Sequence, residues 1–221
     1  MDGPNRLYLN EGTGDFSFRE VTAAAGVTHE DHYTTGVAFA DVEGDGDLDL
    51  LVASMSKEIA LYRNDGTGQF ERVENSGLGL GDGSTTLSLA DIDGDGDLDL
   101  YVTDYKEKSV KDLFPPDERT FEAVTRKTED GEPYELRPPF DEHFKIFYPS
   151  PRSPDRRELG AKDDLYLNEG DGTFTKAPNL EERFRTHDGE PMGMSLDWGL
   201  TSRFQDLNDD GHPDLYVCND F

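Results

Sequence analysis

Asp91-Ile92-Asp93-Gly94-Asp95-Gly96-Asp97-Leu98-Asp99-Leu100 places an acid at every second position and then runs into apolar chain. The stretch occurs three times. Its other copies are Asp41-Val42-Glu43-Gly44-Asp45-Gly46-Asp47-Leu48-Asp49-Leu50 and Asp206-Leu207-Asn208-Asp209-Asp210-Gly211-His212-Pro213-Asp214-Leu215. Apolar residues such as Val37-Ala38-Phe39-Ala40 and Leu87-Ser88-Leu89-Ala90 precede the first two loops. Leu50-Leu51-Val52, Leu100-Tyr101-Val102 and Leu215-Tyr216-Val217 follow the three. Short apolar runs bounded by Gly and Asp predict strands, so each copy reads as strand, acidic loop, strand.

A second unit alternates with the first: Leu7-Tyr8-Leu9-Asn10-Glu11-Gly12-Thr13-Gly14-Asp15-Phe16, Leu61-Tyr62-Arg63-Asn64-Asp65-Gly66-Thr67-Gly68-Gln69-Phe70 and Leu165-Tyr166-Leu167-Asn168-Glu169-Gly170-Asp171-Gly172-Thr173-Phe174. An apolar strand, an Asn/Gly turn and an aromatic opening the next strand make a hairpin signature. With 23 Gly among 221 residues and 33% hydrophobic content, the chain predicts an all-β fold rich in turns.

The acidic loops point to a metal. Crowded carboxylates repel one another, and a cation removes that cost. Oxygen ligands at positions 1, 3 and 5, Gly at 6, a backbone carbonyl at 7 and a carboxylate at 9 suit Ca²⁺. The first loop offers Asp41, Glu43, Asp45, the carbonyl of Asp47, and Asp49. In the second the set is Asp91, Asp93, Asp95, the carbonyl of Asp97, and Asp99. In the third it is Asp206, Asn208, Asp210, the carbonyl of His212, and Asp214. Position 12 is Val52, Val102 and Val217 rather than the Glu an EF-hand needs, and the flanks read as strands, so EF-hand is excluded. Mg²⁺ suits the loop less, and zinc or iron lack His and Cys clusters. Glu43 is longer than Asp and Asn208 is uncharged, so the second site is expected to be the strongest.

Charge narrows the partners. With 49 Asp+Glu against 21 Lys+Arg, the net charge is −28, which opposes nucleic acid and anionic membrane surfaces. Thirteen Phe, nine Tyr and one Trp argue against disorder. No apolar run reaches bilayer-spanning length, so no membrane insertion is expected. Met1-Asp2-Gly3-Pro4 lacks the start of a signal peptide, and the lone Cys218 reads as a small buried residue in a strand.

Asp-x-Asp-x-Asp-Gly-x-x-Asp loops alternating with Leu-Tyr-x-Asn-x-Gly-x-Gly-x-Phe units resemble FG-GAP/VCBS repeats, over about residues 5–105 and 164–221. Asp206–Phe221 is similar to bacterial ASPIC/UnbV proteins, relatives of cartilage acidic protein. The resemblance implies an integrin-α-like β-propeller with structural calcium in its hairpins. It also implies an extracellular, periplasmic or cell-surface setting, and non-enzymatic adhesion or recognition of a protein or carbohydrate ligand. Three first and three second hairpins make about three blades' worth of four-stranded antiparallel units, too few for a closed ring. A fragment of a longer propeller is the simplest expectation; a homodimer completing a six-bladed ring is the bolder one.

The domain organisation follows. Residues 1–105 hold propeller blades with two calcium loops, and 164–221 continue them with the third. Residues 106–163 carry 8 of the 12 prolines and read as an irregular, charged insertion, partly ordered by Phe140, Phe144, Phe147 and Tyr148. The alternative function is a secreted enzyme whose active site lies in the insertion or in blade-top loops. Its candidate groups are His143 beside Asp141 and Glu142, and His187 beside Asp188. Neither Gly-x-Ser-x-Gly nor a phosphate-cradling Gly loop occurs, so no catalytic residue is assigned. Tyr8, Tyr62, Tyr166, Phe16, Phe70 and Phe174 recur with the repeat and are expected in the core or in inter-blade packing rather than as a sugar platform. Trp198, after Met192-Gly193-Met194, lines either a blade interface or a ligand surface. Arg152, Arg156 and Arg157 form the local basic cluster, for docking on acidic blade surface or for a partner.

Overall fold

The computed structural model describes residues 5–12, 14, 16–29, 33–129, 133–150, 153–193 and 196–220. Thr13, Asp15, Arg152, Met194, Phe221 and the Met1–Pro4 start lie outside them. The fold is all-β and propeller-like, with few and short helices. In chain order come strands β1 (Tyr8–Asn10) and β2 (Phe18–Glu20), helix α1 (Thr22–Ala25), then β3 (Thr34–Ala40), β4 (Asp49–Ser54), β5 (Ala60–Asn64) and β6 (Phe70–Arg72). Next are β7 (Ser84–Ala90) and β8 (Asp99–Asp104), followed by the insertion with α2 (Val110–Leu113), α3 (Phe121–Val124), β9 (Thr125–Lys127), β10 (Tyr134–Leu136), β11 (Phe144–Ser150) and β12 (Ser153–Glu158). The chain then returns as β13 (Asp164–Asn168), β14 (Phe174–Lys176), α4 (Leu180–Arg183), β15 (Gly199–Gln205) and β16 (Asp214–Asn219).

Two four-stranded antiparallel sheets are complete blades. Blade 1 has the order β3-β4-β5-β6, and blade 2 the order β14-β13-β8-β7. Two half blades flank them, β1–β2 on one side and β15–β16 on the other. Each acidic loop turns the inner hairpin of its unit, and β3, β7 and β15 pack side by side. All three inner hairpins carry a register shift at matching places, Thr34/Gly36, Ser84/Thr86 and Gly199/Thr201.

Period-two alternation explains the stacking. On β4, Leu51 and Ala53 point one way and Leu50 and Val52 the other. The first pair joins Val42, Leu61, Leu87, Leu100, Val102, Tyr166 and Phe174 in the core between blades 1 and 2. The second pair packs with Val21, Ala25, Val27, Ala60 and Tyr62 against the first half blade. On β8, Tyr101 packs with Leu165, Phe204 and Leu215 toward the last half blade. Every complete blade is therefore apolar on both faces, as stacked sheets require.

Tyr62, Tyr166 and Phe174 are buried as the repeat predicts, and Phe70 is half-buried. Tyr8 and Phe16 are exposed, because the β1–β2 pair has no inner hairpin beside it among the described residues. Val37 and Phe39 on the neighbouring face of β3 are exposed too. Cys218 lies in β16 as expected but is half-buried rather than buried, because β15–β16 is a two-stranded half blade.

The insertion holds more regular structure than its prolines predict. Two hairpins, β9–β10 and β11–β12, pack with α2 and α3 around Val110, Val124 and Phe144. Pro149 and Pro154 sit in two-stranded ribbons, where alternate N–H groups have no ladder partner to lose. Arg156 and Arg157 stack over Phe144 and Phe147, so this basic pair is spent within the insertion. Trp198 meets Tyr105 edge-on at 4.9 Å, with the Lys106 ammonium 5.7 Å from its ring centre, at the insertion's neck.

Candidate metal centres

The three loops fold by one recipe. The position-1 acid receives N–H bonds from further along its own loop. Asp41 accepts from Asp45 and Gly46, Asp91 from Gly94 and Gly96, and Asp206 from Asp210 and Gly211, at 2.7–3.3 Å. The position-5 acid accepts from position 7: Asp45 from Asp47 N, Asp95 from Asp97 N and Asp210 from His212 N. Gly46, Gly96 and Gly211 have φ of +95°, +100° and +85°, the left-handed turn expected of position 6.

The position-9 acid has a second task that reading the sequence for ligands missed. Asp99 is fully buried and clamps two hairpins: Ile92 N donates to one carboxylate oxygen at 2.9 Å and Asn168 N, on β13, to the other at 3.0 Å. Asp49 does the same with Val42 N at 3.0 Å and Asn64 N at 2.9 Å. Asp214 receives a single such bond among the described residues, from Leu207 N at 3.0 Å, and stays half-buried. The clamp takes only the backbone N–H of the repeated Asn. Its side chain explains the repetition, since Asn64 Nδ2 donates to the Leu48 carbonyl at 3.0 Å and Asn168 Nδ2 to that of Leu98 at 3.3 Å, while each Oδ1 accepts from a glycine N–H of its own turn.

The loops differ at position 3. Asp91, Asp93 and Asp99 each offer an oxygen, and these three atoms lie within 4.8 Å of one another. Among the described residues no other group of acids or His converges so closely. In the first loop Glu43 turns to Arg63, whose Nε lies 2.5 Å from Oε1, while Arg63 Nη2 also donates to the carbonyl of Asp171 in blade 2 at 2.9 Å. In the third loop Asn208 Nδ2 donates to Asp210 Oδ2 at 3.0 Å, so the amide ties up an acid. The side chains of Asp47 and Asp97 lean over the neighbouring hairpin turn, where a Cβ on Gly66 or Gly170 would lie 2.5 or 2.6 Å from their Oδ2. The His212 side chain is exposed.

Electrostatics agree with an unmet need for positive charge in the second loop. Burial pushes the Asp99 carboxyl above its ordinary value, the two N–H bonds oppose this, and Asp93 and Asp95 push the same way as burial. Glu43 is also raised, first by burial and then by Asp49, against the pull of Arg63. Asp206, in solvent, is lowered by its N–H bonds from the loop, that of Gly211 foremost. The donor set is oxygen only, which fits a hard cation.

Comparison with known families places part of this chain. Residues 1–52 and 41–102 match the FG-GAP-like repeat, a span that runs from the first half blade into β8. No curated protein matches the chain. No helix among the described residues is long and apolar enough to cross a membrane.

Proposed function

We propose that the strand–loop–strand hairpins bind Ca²⁺ and that the propeller acts as a non-enzymatic recognition or adhesion module. The observation that supports this reading is the convergence of Asp91, Asp93 and Asp99 at the corner where both hairpins of blade 2 meet. There Asp91, Asp93, Asp95 and Asp99 would hold the ion with the Asp97 carbonyl, and the ion would cancel repulsion the apo hairpin bears. The first and third loops bind more weakly in this reading, since Glu43 is paired with Arg63 and Asn208 replaces an acid. The resemblance to FG-GAP/VCBS and ASPIC/UnbV proteins supports a secreted or surface setting with a protein or carbohydrate ligand.

At an extracellular-type Kd of roughly 0.1–1 mM, tenfold excess Ca²⁺ adds about 1.4 kcal/mol per site. Calorimetric titration of chelator-treated protein with CaCl₂ tests the reading, with MgCl₂ as control. Heat with Ca²⁺ and a raised Tm support it; no heat and no Tm shift remove it.

The half blades also suit ring completion by a second copy. One is an outer pair, β1–β2, and the other an inner pair, β15–β16. Joined head to tail, two copies would make six blades and cover Tyr8, Val37, Phe39 and Tyr216, all exposed in the single chain. Light scattering after size exclusion reads the mass, and a monomer at micromolar concentration rules the dimer out.

A further inference from the structure

Blade 2 departs from blade 1 at the end opposite its acidic loop, where the insertion leaves β8 and returns at β13. In the repeat register, Asp104, Asp163 and Asp164 of blade 2 correspond to Ser54, Ile59 and Ala60 of blade 1. The repeat therefore builds the same sheet with no charge at these three places.

Each acid has a distinct environment. Asp163 accepts from Asp104 N at 2.8 Å and from the Tyr101 hydroxyl at 2.6 Å. Asp164 is paired with the Lys176 ammonium at 2.7 Å. Asp104 is wholly buried, and neither of its carboxylate oxygens has a hydrogen-bond partner. Ser84, paired with Asp104 across the sheet at the register shift, has a buried hydroxyl that is also unpartnered. The counterpart Ser54 instead donates to the carbonyl of Tyr33 at 3.3 Å.

The unpartnered carboxylate lines a cavity of about 810 Å³ between blade 2 and the insertion. Its other charged liners are the acids Asp82, Glu107, Glu142 and Asp164 and the lysines Lys106, Lys108, Lys162 and Lys176, with His143 beside them. Lys106 is engaged elsewhere: it donates to the carbonyl of Leu159 at 2.7 Å and lies 3.6 Å from Glu158. Gly81 packs closely on this corner, since a Cβ there would lie 2.0 Å from Ser84 Oγ and 2.7 Å from Asp104 Oδ1. Burial first, and then Asp164, Asp163 and Asp82, push the Asp104 carboxyl up to about 7. A buried carboxylate with two unpartnered oxygens, near Asp82, Asp163 and Asp164, is costly unless something positive meets it.

We propose that this cavity binds a cation carrying N–H donors, a guanidinium or primary ammonium group on a small molecule or peptide side chain, with Asp104 as its anchor. The volume is that of a small-ligand site rather than an ion cage. A fork of N–H groups satisfies both free oxygens at once, the strongest arrangement a carboxylate can accept. A metal fits less well, because Asp163 and Asp164 already spend oxygens on Tyr101, Asp104 N and Lys176.

The test is titration of the full chain, in excess CaCl₂, with L-arginine, methylguanidinium and n-butylammonium, followed by NMR at the Gly81 and Ser84 amides. Tetramethylammonium, which has no N–H, is the control. The expected result is saturable binding of the N–H cations, at least about tenfold weaker in Asp104→Ser, which installs the blade 1 residue, and in Asp104→Asn. Melting curves of both variants establish that the fold survives. The proposal is overturned if none of the three probes binds, if both variants bind as well as the parent, or if tetramethylammonium binds equally. Asp104-dependent binding of MnCl₂ or MgCl₂ without any response to the organic cations overturns it in favour of a metal.

Discussion

Blades 1 and 2 share strand order, register and acidic loop, yet they place their charge differently. Blade 1 closes its loop acid onto Arg63 and joins β4 to β5 through residues 55–59. Blade 2 leaves Asp93 free beside Asp91 and Asp99, has Leu167 where blade 1 has Arg63, and opens at its other end into a 59-residue connection, 105–163, ringed by buried acids. The lesson is that the repeat fixes the clamp and the packing, while single positions decide whether a carboxylate is spent on structure or left for a ligand.

The clamp carries the largest expected effect. Asp99→Ala strands two buried N–H groups, so it should cost about 3 kcal/mol or more even in chelator, with Asp49→Ala alike and Asp214→Ala near 1 kcal/mol. Urea unfolding in EDTA reads this. Equal costs for Asp99→Ala and Asp214→Ala would break the distinction between clamped and half-clamped units.

Asp104 comes next, with the opposite sign. Its folded pKa of about 7 stands above the ordinary carboxylate value, so its contribution is fully present below about pH 4 and is lost as pH rises through 7. Asp104→Asn should therefore be more stable than the parent by about 2 kcal/mol at pH 8, with the gain vanishing toward pH 4. Ser54→Asp should import the same penalty into blade 1. Denaturation at the two pH values checks both, and a gain for Asp104→Asn that is independent of pH would sink the assignment.

Calcium affinity sharpens the contrast between loops. Asp93→Asn should weaken binding at the second loop about tenfold, while Glu43→Gln, removing an acid already paired, should change the first loop by less than about threefold. The smallest effect belongs to Arg63→Leu. It should cost under about 1 kcal/mol, as a partly exposed ion pair does, and should tighten the first loop for Ca²⁺ by freeing Glu43. Site-resolved NMR during CaCl₂ titration separates the loops.

Much of the fold was legible because the repeats are printed twice over, as acidic loops and as Asn/Gly turns. Six hairpins, their order and the place of the insertion follow from spacing alone. The insertion's own hairpins were hidden, since Pro149 and Pro154 argue against strands unless those strands form isolated ribbons. The loop acids were legible as ligands, but the clamp by Asp49 and Asp99 was not. Its partners Asn64 and Asn168 lie 15 and 69 residues away. Asp104 was lost among 49 acids, although alignment with Ser54 marks it as out of place.

By itself the sequence determines the all-β repeat, the strand–loop–strand units and the oxygen-rich loops, because periodicity, glycine and carboxylate spacing act over a few residues. Tertiary structure decides which acids remain available. Arg63 reaches Glu43 from another strand, Asn168 reaches Asp99 across the whole insertion, and Asp104 is buried where the chain leaves for the insertion and returns from it. A carboxylate's chemistry depends on its desolvation and on the donors near it, and both are set by segments far away in the chain.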